Sequence, residues 1–253
     1  MKATRCGENT DIAAVVLSGG LGTRLRSVLP ERQKTVAPVA GRPFLSRVLE
    51  QIENSGIQSV VLCVGYLADQ VEAEFGTKFG SLDVAYSIER SLLGTAGAVR
   101  FALDQVTART LLVMNGDSYC GLDIAPFVQF HRSGSHQASM VITEAPNTRR
   151  FGRVNVDSDA IIRSFDEKGS VEGPGFINAG IYLFEREILE AIPRGHPHSF
   201  ERDVFPKLLH GELHGYRAGN GRFIDIGTPE TLQAAEQFFQ EKGSIGSSTG
   251  GFE

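Results

Sequence analysis

Four short apolar runs rich in β-branched residues, AAVVL (13–17), SVVLCV (59–64), DVAYSI (83–88) and TLLVMN (110–115), alternate with helical patterns in the first half of the chain. This rhythm belongs to βαβ units around a mostly parallel sheet. The intervening helices are read at PFLSRVLEQIENSG (43–56), LADQVEAEF (67–75) and about 95–104. The first is well punctuated, with Pro43 near its start and Gly56 past its end. After a helix in DIAPFVQFHRSG the texture changes. QASMVITEA, FGRVNVD, AIIRSFDE and FINAGIYLF follow with little helix between them, which predicts antiparallel strands added to the parallel half. A helix near FERDVFPKLL, a short strand FIDI and a last helix over 229–239 complete the pattern.

The 253 residues are enough for one large α/β domain with a substantial core. The expected fold is a single Rossmann-like three-layer domain over 12–241, with a mixed, mostly parallel sheet. The polar segment 1–11 and the Gly/Ser-rich tail 242–253 are expected to be flexible. No hexapeptide repeat follows residue 240, so no β-helical second domain is expected.

A formal charge of −5 argues against broad attraction to nucleic acid. Any anion site must therefore be local. Between Gly20 and Arg47 the basic residues are Arg24, Arg26, Arg32, Lys34, Arg42 and Arg47, against one acid, Glu31. That imbalance suits a small polyphosphate, or else a solvated positive face. Cys6, Cys63 and Cys120 are too widely spaced for a disulfide framework or a CxxC metal site, and a cytoplasmic location is expected. His196 and His198, in RGHPHS, read as a proline-containing surface loop. The N-terminus has no apolar signal core, and no run approaches the roughly 20 apolar residues of a membrane span.

The first strand runs into Gly19, Gly20 and Gly22, with Arg24 and Lys34 following. Glycines at a strand end let backbone N–H groups approach an anion, and basic side chains neutralise it, so the segment predicts phosphate binding. Two familiar loops fail by spacing. No Gly-Lys-Ser/Thr triplet completes a Walker A motif, and Leu25 stands where a dinucleotide fingerprint needs its third glycine. Carboxylates that could hold a divalent cation stand at predicted strand ends: Asp117 in MNGDSY and Asp225 in FIDIGTPE. Aspartate is also favoured in turns and caps for purely structural reasons.

GGLGTRL, LGTAGA, NGDS, NAGIY and DIGTPE together resemble the motifs of sugar-1-phosphate nucleotidyltransferases, from about Ala13 to Phe239. The resemblance implies that Leu17, Gly19, Gly20, Gly22 and Thr23 wrap a nucleoside triphosphate, and that Arg24 holds its outgoing phosphates. It further implies that Lys34 neutralises the α-phosphate and that Asp117 and Asp225 coordinate Mg²⁺. On the base side it implies Glu89, Gly94, Thr95, Ala96 and Gly97, where small residues open a helix and admit a planar base. As an acceptor, the Glu89 carboxylate suits guanine N1–H and N2–H₂. For the sugar it implies Gly152, Glu167, Asn178, Ala179 and Gly180, with Lys168 on the sugar phosphate. One departure stands out: the family usually has Pro-Lys-Pro where this chain has Gln33-Lys34-Thr35.

Among branches of the family, the chain looks most like bacterial guanylyltransferases acting on D-glycero-α-D-manno-heptose 1-phosphate. The implied partners are GTP, or another NTP, and a sugar 1-phosphate, with no nucleic acid and no membrane insertion. A homodimer is the commonest assembly for such a chain. Rival readings are another NTP and sugar pair, a catalytically silent nucleotide-sugar-binding module, and a dinucleotide-binding oxidoreductase. Leu25 speaks against the last, and the joint presence of Arg24, Lys34, Asp117, Lys168 and Asp225 against the silent module.

Overall fold

A computed structural model describes residues 11–166, 168–219 and 222–243. In chain order its strands are β1 (Ile12–Leu17), β2 (Pro38–Val39), β3 (Arg42–Pro43), β4 (Ser59–Val64), β5 (Lys78–Phe79), β6 (Leu82–Ile88) and β7 (Thr110–Asn115). They continue with β8 (Ser118–Cys120), β9 (Ala138–Ala145), β10 (Val154–Val156), β11 (Ile162–Phe165), β12 (Gly175–Glu185), β13 (Leu213–Arg217) and β14 (Phe223–Asp225). The α-helices are α1 (Phe44–Asn54), α2 (Ala68–Phe75), α3 (Gly94–Ala102), α4 (Ile124–Ser133), α5 (Arg186–Glu190), α6 (Phe205–Leu208) and α7 (Pro229–Gly243).

Strands β7, β1, β4 and β6 lie side by side and parallel, as the βαβ rhythm predicts. The long β12 runs antiparallel to β7, and β9, β10 and β11 extend the sheet by antiparallel pairing. Both faces are covered, which is why the parallel strands read as continuous apolar runs. Ile12, Ala14 and Val16 of β1 join a core with α1, α2, α4 and α7, while Ala13 and Val15 join the opposite core with α3, α5 and α6. The result is the expected three-layer α/β domain.

Two elements depart from the sequence reading. The last strand of the sheet, β13, is one the sequence pattern does not show, and it lies parallel to β9 beyond the antiparallel strands. A helical connection through α5 and α6 precedes it, which gives the chain room to return in that direction. The helix expected near 200–209 is split into a π-turn, Phe200–Val204, and α6. Pro206 has no N–H for the regular ladder, so the wider turn absorbs the mismatch.

At the far end of the sheet from the glycine loop, three histidines pack together. His131 is almost wholly buried, with Nδ1 bonded to Ser139 Oγ at 2.8 Å and Nε2 3.4 Å from Glu185. The His136 ring stacks on His214 with centroids 3.6 Å apart. Burial, reinforced by the neighbouring histidines, lowers the His136 pKa to about 4, and burial also lowers those of His131 and His214.

Because these bases are harder to protonate when folded, the unfolded chain binds more protons below its ordinary histidine pKa of about 6.5. Stability should therefore fall as pH drops from there toward about 4. The urea midpoint is expected to decrease between pH 7 and pH 5, and less so in His136→Phe, which keeps the stack but removes the titration. Equal decreases in the two proteins would count against this account.

Candidate functional site

The glycine loop leaves β1 at Ser18 and lines a cavity of about 320 Å³ with Lys34, Glu89, Gly94, Thr95, Asn115 and Asp117. Leu17, Gly19 and Gly20 also line it. A Cβ on Gly20 would meet no protein atom within 4 Å, so the loop leaves that space open. Gly19 is constrained differently, because a Cβ there would lie 2.7 Å from Glu89 Oε1. Gly22 has φ 57° and starts a short 3₁₀ turn, Thr23–Leu25. Leu25 is 1% exposed and anchors the turn in the core. Thr23 and Arg24 are exposed.

Across the cavity, β7 ends at Asn115 and the chain continues through Gly116 into β8. This short strand pairs with β14, setting Asp225 opposite Ser118, and Ile226 N–H donates to the Asp117 carbonyl at 2.9 Å. Two residues with 107 others between them in the chain thereby become neighbours. Their side chains look into two adjoining spaces. Asp117 lines the glycine-loop cavity and is ion-paired with Lys34, whereas Asp225 lines a second cavity of about 560 Å³. Asp225 Oδ1 accepts from Arg150 Nη2 at 2.6 Å and from Gly227 N–H at 2.7 Å. Arg24 arrives at the same place: a Cβ built on Gly227 would lie 3.0 Å from Asp225 Oδ1, 3.5 Å from Arg24 Nη2 and 3.6 Å from Arg150 Nη2.

Among the described residues no group of three or more His, Cys, Asp or Glu could form a complete metal cage. Two carboxylates on adjoining backbones still fit the donor chemistry of Mg²⁺, which takes one or two protein carboxylates and fills its shell with water and phosphate oxygens. That each carboxylate now holds a basic side chain shows both oriented toward positive charge.

On the base side, Glu89 Oε2 accepts from Leu93 N–H at 3.0 Å. Burial raises the carboxyl pKa, and that hydrogen bond partly offsets the rise. Ala96 and Gly97 are put to a different use from the one the motif implies. Their N–H groups donate to the His198 carbonyl at 2.9 and 3.2 Å, and both residues are buried against the 196–198 loop. Only Gly94 and Thr95 of the four line the cavity. The unpaired donors at a helix start need acceptors, and here the RGHPHS loop supplies one.

Of the residues read as a sugar pocket, Gly180, with φ 74°, abuts the glycine-loop cavity, since a Cβ there would lie 2.5 Å from Asn115 Nδ2, while the other described ones do not line that cavity. Gly152, with φ 82°, packs where a Cβ would meet the Asp166 carbonyl at 2.7 Å and Lys168 at 3.8 Å. Lys168 itself is exposed, beyond the end of β11. Glu167 lies outside the described residues. Asn178 braces an irregularity in β12, accepting from Gly180 N–H and donating to Tyr182 Oη, each at 2.8 Å. Among the described residues this leaves its amide one hydrogen and one lone pair unused. Ala179 is buried in the core, so only its backbone is available to the space beside it. Arg150 went unread, since an arginine before Phe-Gly carries no signal until β14 is folded against its loop.

The family model for nucleotidyl transferases matches residues 13–242. The chain belongs to the nucleotidyl transferase family. This transferase is 32% identical to the D-glycero-alpha-D-manno-heptose 1-phosphate guanylyltransferase of Aneurinibacillus thermoaerophilus, over 90% of this chain and 98% of that protein. It is 37% identical to the mannose-1-phosphate guanylyltransferase of Mycobacterium tuberculosis over 87% of its length, and spans 62% of that longer protein. Among solved structures, HddC from Yersinia pseudotuberculosis superposes with TM-score 0.80 at 34% identity, covering 90% of this chain and 99% of HddC. A second HddC structure, complexed with GMP-PN, superposes with TM-score 0.79.

Gly94 shows how tightly the transferase joins its cavity to the 196–198 loop. Its φ is 70°, and a Cβ would lie 2.5 Å from the His198 carbonyl oxygen. Gly94→Ala is expected to cost at least about 1–2 kcal/mol from backbone handedness alone. Denaturant titration checks this, and an unchanged midpoint would refute it.

Proposed function

We propose that this nucleotidyl transferase joins GTP to D-glycero-α-D-manno-heptose 1-phosphate, releasing pyrophosphate and forming a GDP-heptose for surface glycans. The observation that carries the transfer reaction is the meeting of the glycine loop, Lys34 and Asp117 in one cavity, with Asp225, Arg24 and Arg150 immediately beside it. The heptose assignment draws on the relatives of that activity and on HddC, each matched over nearly its whole length. The mycobacterial mannose enzyme supports mannose 1-phosphate as the second reading.

In this reading an oxygen of the sugar phosphate attacks the α-phosphorus of the triphosphate in line. The new P–O bond forms as the bond to the β-phosphate bridge breaks, and pyrophosphate leaves. The attacking phosphate is already ionised near neutral pH, so no protein nucleophile is needed. The protein contributes positioning and charge neutralisation. Backbone at Gly19, Gly20 and Gly22 wraps the phosphates, Lys34 lies against the α-phosphate, and Arg24 holds the departing pair. Lys168 on its exposed turn receives the sugar phosphate, and Asn178 offers its remaining hydrogen-bonding capacity to the sugar. Asp117 and Asp225 would hold Mg²⁺, which when bound would supply charge to screen repulsion between the phosphates. Lys34 and Arg150, the present partners of those carboxylates, are the basic groups placed to meet phosphate oxygens. The Glu89 carboxylate accepts from the guanine edge. Two buried free cysteines suit a cytoplasmic enzyme, and burial pushes the Cys120 thiol up to about 11.

Pyrophosphate release measured over four NTPs and a panel of sugar phosphates tests the reading, with GTP and the heptose phosphate expected to lead. Asp117→Ala and Asp225→Ala should each lower turnover about 100-fold or more with folding retained. Near-normal turnover in both would remove the metal role. Glu89→Gln should reduce the preference for GTP over UTP by about tenfold, since a charged acceptor is lost. With its raised pKa, Glu89 should also lose that preference on acidification sooner than an ordinary carboxylate would. An equal loss for both nucleotides would discard the base contact.

A further inference from the structure

The glycine loop is closed at its foot by a buried polar cluster that neither the fold nor the reaction has yet accounted for. Ser18, where the loop leaves β1, and Gln33 and Thr35, where it returns, are each 1–2% exposed. Gln33 Nε2 donates to the Ser18 carbonyl at 2.5 Å. Its Oε1 accepts from Thr35 N–H at 2.5 Å and from Thr35 Oγ1 at 2.7 Å. With that hydroxyl proton committed, Thr35 Oγ1 accepts from Ser18 Oγ at 2.6 Å. From α2, Gln70 Oε1 accepts from Gln33 N–H at 2.8 Å, and Gln70 Nε2 donates to the Glu31 carbonyl at 2.7 Å. Ser18 N–H is tied in turn to the Cys63 carbonyl of β4 at 2.8 Å.

Lys34 sits between the two anchors, half-buried, with Nζ on Asp117. A lysine has four rotatable carbons, so its reach is decided by where its backbone is held. The resembled family fixes this point with a proline on each side, which locks φ covalently. Here the same restraint comes from side chains: a hydrogen-bonded clasp spans the loop and holds the 3₁₀ turn Lys34–Val36 against the end of β1. Burying three polar side chains is costly unless every one is satisfied, and apolar residues would fill the space with less risk. The cluster is satisfied throughout its bonds at Gln33 and Thr35, and what it fixes is the lysine.

We infer that Gln33 and Thr35 are positioning residues that act through Lys34, holding the lysine over the phosphate site. The inference rests on the transfer reaction proposed above. Gln33→Met and Thr35→Val keep volume but delete the bonds, and each should lower kcat about tenfold or more while KM for both substrates stays within about twofold. Thr35→Ser retains the hydroxyl and should restore turnover. In a Lys34→Ala background, Gln33→Met and Thr35→Val should cause no further loss of kcat, because the residue they act through is gone.

Reductive methylation of Lys34, read by mass spectrometry, gives a measure that does not need turnover. Wild type should be protected and both deletion variants modified several-fold faster. Circular dichroism and thermal melts verify folding, and if Gln33→Met does not fold the Thr35→Val and Thr35→Ser pair decides. Unchanged kcat and protection, additive losses on Lys34→Ala, or a Thr35→Ser as impaired as Thr35→Val would overturn the inference. A wild-type protein that transfers no nucleotide would instead sink the proposed function, and the methylation rates would still decide whether the clasp holds Lys34.

Discussion

Strands β1 and β7 pair in register from Ile12 and Thr110 to Leu17 and Asn115, and both end at the same height. Gly116 N–H then closes on the Leu17 carbonyl at 2.9 Å, at a point where a Cβ would sit just as close to that oxygen. Only a glycine lets the two chains separate from so tight a contact. From it, one chain opens into the glycine loop and the other turns into β8. Everything chemical in the molecule is arranged around this fork, because the sheet core below it is apolar on both faces and leaves no freedom for the strands to shift.

The site is built from charge balanced locally in a chain of net negative charge. Arg24 and Lys34 from the glycine loop and Arg150 from the loop after β9 converge on two aspartates, so the basic groups around the carboxylates come from two separate parts of the chain. Such an arrangement holds its side chains ready without exposing a broad positive face. The basic residues between Gly20 and Arg47 divide between this site and the surrounding surface. Arg24 and Lys34 point to the carboxylates, while Arg42 pairs with Glu50, Arg26 lies over the Tyr66 ring and Arg47 over the Phe239 ring.

Much of this was legible beforehand where residues carry strong local signals. The four parallel strands announce themselves because burial on both faces demands unbroken apolar runs, and α1 because Pro43 and Gly56 bracket it. What escaped had no such signal. LHGYR mixes apolar and polar residues around a glycine, and becomes strand β13 only because β9 offers it an edge. The three residues of β8 are too few to show a period, yet their pairing with β14 brings the aspartates together. Gln33 and Thr35 look like departures from a motif until the fold shows them bonded to each other. The small residues of LGTAGA were read as room for a base, but room is also what the 196–198 backbone needs, and sequence cannot say which visitor takes it.

Tyr119 of β8 packs its ring against Phe238 and Phe239 of α7, with centroids 6.2 and 5.2 Å away, and Phe239 also meets Phe44 at the start of α1. The strand that follows Asp117 is thus clamped by the last described helix. During synthesis on a ribosome, the glycine loop, Lys34 and Asp117 emerge long before β14 and α7 do. A nascent chain stalled near residue 210 would carry the glycine loop, Lys34 and Asp117 but neither Asp225 nor the clamp. The pairing that sets the two aspartates side by side can form only after the last part of the sheet has been made.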